Sequence, residues 1–92
     1  MKITWTRPAI HDLNEAALYI RLDNPGAARQ MLARIRISIR QLRRFPMLGR
    51  TGWKDGTREL VIPNTPYIVV YRIVEKSVEI LAVLHGARDW QN

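Results

Sequence analysis

The spacing of apolar residues changes twice along the chain. Ile3 and Trp5 alternate with Lys2, Thr4 and Thr6, the two-residue period of a short strand. Ile10, Leu13, Ala17 and Ile20 then recur at helical spacing. Thr6 can cap that helix, and Pro8 suits its first turn, where a missing N–H costs nothing. Asp12 and Glu15 lie in the first two turns, where acidic groups favour the helix dipole. Asp23-Asn24-Pro25-Gly26 breaks the pattern. A second helix is predicted from about Pro25 to Arg44. Ala28, Met31, Leu32, Ile35, Ile39 and Leu42 form its apolar stripe, with Arg29, Arg36, Arg40 and Arg44 opposite. Ile37 alone interrupts the arginine face. So short a link makes the two helices an antiparallel hairpin.

Residues 45–52 read as a connecting loop, and three strands follow. Arg58–Ile62 is bounded by Gly56 and Pro63, Tyr67–Ile73 follows Pro66, and Val78–His85 follows a tight turn at Glu75-Lys76-Ser77. The last two strands form an antiparallel hairpin. The Tyr67 strand is apolar on both faces, which predicts a central strand covered on both sides. Helices and strands segregate, so the fold class is α+β: β-α-α-β-β-β, a helix hairpin packed on one face of a largely antiparallel four-stranded sheet. The first strand is expected to pair within that sheet. Residues 1–92 form a single domain.

So small a domain buries only roughly 60–65% of its unfolded surface, and is expected to be marginal unless a partner covers part of it. Cysteine is absent, which excludes disulfides and thiolate metal sites and fits a reducing cytoplasm. No stretch approaches the ~20 apolar residues of a membrane span. The N-terminal segment is too short and too strand-like for a signal peptide.

Charge sharpens the picture. The net charge is +7, yet no acidic residue occurs between Asn24 and Lys54, where eight basic residues lie. Arginine outnumbers lysine twelve to three. Guanidinium forks match phosphate and carboxylate geometry, so the expected partner is anionic, a nucleic acid or an acidic protein segment.

Candidate chemistry is sparse. His11 and His85 are the only histidines, and no carboxylate cluster has ligand spacing, so neither a metal nor another cofactor is expected. Phosphate-binding glycine loops and nucleophile elbows are absent as well. One constellation remains: His85 and Arg88 past the last strand, Arg58 and Glu59 opening the second, Tyr71 and Arg72 on the third. Histidine or glutamate can move a proton, and arginines can stabilise a phosphoryl group in flight. That is the minimum for metal-free RNA cleavage by a 2′-hydroxyl. Against it, Arg58 and Glu59 point to opposite sheet faces, and Trp90 reads as an apolar lid on the sheet rather than a base-stacking platform.

The segments Arg58-Glu59-Leu60, Tyr67-Ile68-Val69-Val70-Tyr71-Arg72 and Val83-Leu84-His85-Gly86-Ala87-Arg88, with the Phe45-Pro46…Gly49-Arg50 junction, resemble the RelE/ParE toxin superfamily over nearly the whole chain. The resemblance implies a cytoplasmic type II toxin–antitoxin toxin that arrests bacterial growth. A cognate antitoxin would neutralise it in a hetero-oligomer, its acidic C-terminal segment wrapping the helices and sheet. Arg29, Arg36, Ile37 and Arg40 are the expected antitoxin contacts. RelE-like members cut mRNA in the ribosome; ParE-like members poison DNA gyrase. Under the nuclease alternative His85, Arg88, Arg58, Arg72 and Glu59 would be catalytic. Ile68, however, stands where RelE-like toxins place a strand arginine, Trp90 lies nearest a terminal tyrosine, and only Lys54 remains of a lysine cluster. The resemblance therefore favours the ParE-like branch, with Arg88 and Trp90 binding the target.

Overall fold

The computed structural model describes residues 1–86. Its elements are β1 (Lys2–Trp5), α1 (Arg7–Asp23), α2 (Pro25–Gln41), β2 (Arg50–Thr51), β3 (Arg58–Val61), β4 (Tyr67–Val74) and β5 (Ser77–His85). The predicted order holds, with one addition. Arg50 and Thr51 pair with Glu59 and Arg58 and make the sheet five-stranded instead of four-stranded. Two residues are too few to leave a periodic signal, so this strand read as loop.

The sheet order is β1-β5-β4-β3-β2. β1 joins the sheet at its edge, parallel to β5; every other pairing is antiparallel. Thr6 fixes the first corner. Its side chain accepts from the Ala9 N–H at 3.3 Å and donates to the Ile80 carbonyl at 2.9 Å, so the start of α1 is tied to β5. Asn24 joins the helices alone. Its N–H closes α1 on the Ile20 carbonyl, and its side chain accepts from the Ala27 N–H of α2. α2 ends at Gln41, short of the predicted Arg44, because residues 42–44 tighten into i→i−3 bonds.

The stripe of α2 is buried as predicted, at Ala28, Met31, Ile35, Ile39 and Leu42. That of α1 is rotated. Ala9 and Ala16 are its buried residues, whereas Ile10 is exposed. The small alanines let the helix approach the rest of the core closely, and Ile10 lies a further ~100° around. Against these helices pack Leu60, Ile62, Tyr67, Val69, Tyr71, Val78, Ile80 and Val83. β4 is central, as its composition suggests, but the helices cover only one of its faces. Its other face is buried at Ile68, half-buried at Val70 and open at Arg72.

One irregularity positions the end of β5. Val70 lies opposite Ala82, but Tyr71 lies opposite Ile80, so Leu81 is an extra residue. Such a bulge resets the alternation of side chains. Val78 and Ile80 face the helices before it, and Val83 and His85 after it. Past Ile80 no β1 residue pairs with β5. There the Asp12 carboxylate accepts the Val83 N–H at 3.0 Å, so α1 seals the strand edge.

Candidate functional site

His85 closes β5 opposite Tyr67, the first residue of β4. Its ring meets the Tyr67 ring edge-on, with centroids 5.6 Å apart and planes at 80°. A hollow of about 210 Å³ surrounds it, lined by Asp12, Glu15, Ala16, Tyr19, Tyr67 and Val83. The histidine therefore lies among α1 residues, on the helix side of the sheet.

The other nuclease candidates lie elsewhere. Arg72 is five residues along β4 from Tyr67, about 17 Å at strand rise, and on the opposite face. Its Nε donates to Glu79 Oε1 at 2.6 Å. Arg58 and Glu59 point to opposite faces, as their adjacency predicts. Arg58 donates to the carbonyls of Gly49, at 2.7 Å, and Met47, at 3.4 Å. Glu59 is only 3% exposed and accepts from Arg50 Nε at 2.9 Å and the Trp53 N–H at 2.8 Å. Arg58 and Glu59 thus both hold the segment that crosses the sheet edge. His85, Arg58, Glu59 and Arg72 do not converge. Arg88 and Trp90 lie outside the described residues. Ile68 packs between Val61 and Leu84 on the face away from the helices.

Tyr71 completes the holding network. Its hydroxyl donates to the Pro46 carbonyl at 2.7 Å and accepts the Gly49 N–H at 2.8 Å. Burial pushes the phenol above its ordinary pKa, while the Gly49 bond and the positive Arg58 pull the other way. A Cβ on Gly49 would stand 2.7 Å from the Tyr71 ring and hydroxyl and 2.8 Å from the Glu59 carbonyl, so only glycine fits there. Tyr71 shares a face of β4 with Tyr67 and lies in the core. Its hold on a loop more than twenty residues earlier was not legible in the sequence.

A groove of about 660 Å³ lies between α2 and the β2–β3 edge. Ile37, Leu48, Leu60, Val61 and Pro63 supply its apolar walls, with Arg34 and Arg50 among its lining. Ile37 is 55% exposed. Arg36 and Arg40 line a different depression on the other flank of α2, beside Ile3 and Trp5. The structure thus separates Ile37 from the two arginines grouped with it by sequence. Leu48 and Val61, both half exposed, were missed because each is unremarkable within its own segment. Arg29 is exposed. Among the described residues no group of three His, Asp or Glu side chains could hold a metal, and no helix is long and apolar enough to cross a membrane.

Comparison with known proteins fits this architecture. Residues 3–90 match the family described as the ParE toxin of the type II toxin–antitoxin system parDE. Y4kP, a Sinorhizobium fredii protein that carries a toxin designation, is 43% identical over 89 residues, covering 97% of this chain and 92% of that protein. Toxin RelE2 of Caulobacter vibrioides is 30% identical over 87 residues, covering 95% and 97%. A chain of the chromosomal ParDE system from P. aeruginosa superposes with a TM-score of 0.84 over 92% of this chain and 95% of its own; at 24% identity it bears on the fold alone. A family match over almost the entire length, on a frame of one strand, a helix hairpin and then antiparallel strands, leaves one conclusion: the chain belongs to the ParE toxin family of type II toxin–antitoxin systems.

Proposed function

We propose that the chain arrests growth by inhibiting DNA gyrase through binding, without bond chemistry of its own. The observation that carries this reading is the dispersal of the proton-moving and phosphate-binding candidates. His85 faces α1, Arg58 and Glu59 hold a loop, and Arg72 pairs with Glu79 far along the strand. Ile68, itself buried, leaves the sheet face away from the helices without a strand arginine at that position. Arg88 and Trp90 are assigned to target contact. A supercoiling assay with purified toxin and gyrase tests the reading. Inhibition at modest toxin excess is expected, and it should survive His85→Ala; normal supercoiling at large excess would overturn it.

The competing reading is ribosome-dependent mRNA cleavage, with His85 moving protons, Arg88, Arg58 and Arg72 on the phosphate, and Glu59 as base. The 30% identity to a toxin named RelE2 favours it. New mRNA 5′ ends at ribosomal A-site codons after induction would establish it.

A cognate antitoxin with an acidic C-terminal segment holds the toxin inactive in a cytoplasmic hetero-oligomer. Its contacts are assigned to Arg29, Arg36, Ile37 and Arg40, and to the groove that Ile37 enters. Exposed apolar walls with arginines beside them suit a segment that alternates apolar anchors and carboxylates. Binding there stabilises a marginal domain by mass action.

A further inference from the structure

The segment 45–54 combines two properties that rarely meet in a loop. It presents large apolar side chains to solvent: Phe45, Met47 at 63% exposed and Trp53 at 70%. It is also tied to the sheet by side chains of β3 and β4. The Tyr71 hydroxyl binds Pro46 and Gly49, Arg58 binds Met47 and Gly49, and buried Glu59 binds Arg50 and the Trp53 N–H. The fold thus devotes a buried phenol, a buried carboxylate and an arginine to fixing a surface that exposes apolar groups to water.

Stability does not require such an arrangement, since exposed apolar side chains gain nothing from rigidity. Binding does, because a pre-ordered surface has already lost the entropy that docking would otherwise cost. Aromatic side chains, methionine and arginine are also the residues enriched where protein interfaces concentrate their energy. We infer that Phe45, Met47 and Trp53, carried on the segment 45–54, form a pre-ordered docking face for an acidic protein surface on the toxin's target, outside the antitoxin groove that Leu48 and Arg50 help to line.

Charge complementarity selects that occupant. Arg43, Arg44 and Lys54 flank the apolar groups in sequence, within the stretch that lacks any acidic residue, whereas Arg50 is already paired with Glu59. A protein fits better than a nucleic acid. The Arg44 guanidinium lies over the Phe45 ring, 5.7 Å from its centroid, where a base would stack, and Met47 offers no ring at all. Phe45, Met47 and Trp53 do not line the α2 groove, so the two surfaces are separable by mutation.

This inference rests on the gyrase reading, and purified gyrase holoenzyme is the probe. The double variant Met47→Ser/Trp53→Ser alters exposed side chains only, and Phe45→Ser serves as an independent second variant. Thermal unfolding and circular dichroism verify that each is folded. The expected result is gyrase affinity reduced at least tenfold in both variants, with antitoxin affinity within twofold of wild type. Wild-type and variant chains binding gyrase equally would overturn the docking face and leave the gyrase reading standing. A wild-type chain that does not bind gyrase would overturn both. A tenfold loss of antitoxin affinity, a loss of self-association or a loss of binding to an RNA oligonucleotide, with gyrase binding unchanged, would reassign the face and overturn the inference.

Discussion

Replacing Tyr71 by phenylalanine removes one oxygen and keeps the ring, so it isolates what the hydroxyl does. The side chain is fully buried, so no cavity larger than that oxygen forms. Two partners lose their bond: the Gly49 N–H, which is buried, and the Pro46 carbonyl, which is partly so. A buried donor left unsatisfied costs about 1–3 kcal/mol, and a partly wetted carbonyl costs less. The expected destabilisation is therefore about 2–4 kcal/mol. Arg58 still binds the Gly49 carbonyl, which sets the upper bound. A 92-residue domain has about 5–14 kcal/mol in total, so this is a large share. At about 4–8 °C per kcal/mol, Tm should fall by at least ~8 °C. Urea unfolding followed by circular dichroism gives the value directly, and m should stay constant. Tyr19→Phe, at an exposed position, is the control and should change stability by less than about 0.5 kcal/mol. A loss below about 1 kcal/mol at Tyr71 would refute the claim that its hydroxyl holds the loop.

Other expectations follow from the same network. Because burial raises the Tyr71 pKa, the folded chain keeps that proton more tightly than the unfolded one. The stabilisation is complete below the unfolded value near 10 and is lost as pH rises toward the folded value. Thermal unfolding scanned from pH 8 to 11 should show a fall that is shallower in Tyr71→Phe; identical slopes would contradict this. Glu59→Ala should cost about 1–3 kcal/mol, chiefly because it leaves the Trp53 N–H without its acceptor while the half-exposed Arg50 guanidinium turns to water, and denaturant unfolding reads it. Asp12→Ala should cost about 1–2 kcal/mol and should speed amide exchange at Val83 above all, measurable by NMR. Charge reversal by Arg36→Glu and Arg40→Glu should weaken antitoxin binding at least tenfold in calorimetry, with the deficit shrinking as salt rises; unchanged affinity would remove those arginines from the interface.

The sequence by itself determined the element order, the α+β class and the buried stripe of α2, because each depends on short-range periodicity. It also exposed the segment without acidic residues, since charge needs no coordinates. Adjacency in β3 already placed Arg58 and Glu59 on opposite faces. Only the tertiary structure decided what those residues hold: the loop at Met47, Gly49 and Trp53, brought to β3 by chain closure over six to eleven residues. The clearest case is His85. Strict alternation from Val78 and Ile80 would place Ala82 and Leu84 on the helix side and turn His85 away from it. The extra residue at Leu81 reverses this and delivers the histidine to α1 beside Tyr67. A bulge arises from how two strands meet, because pairing and packing must both be satisfied at once, so one strand's own pattern does not contain it.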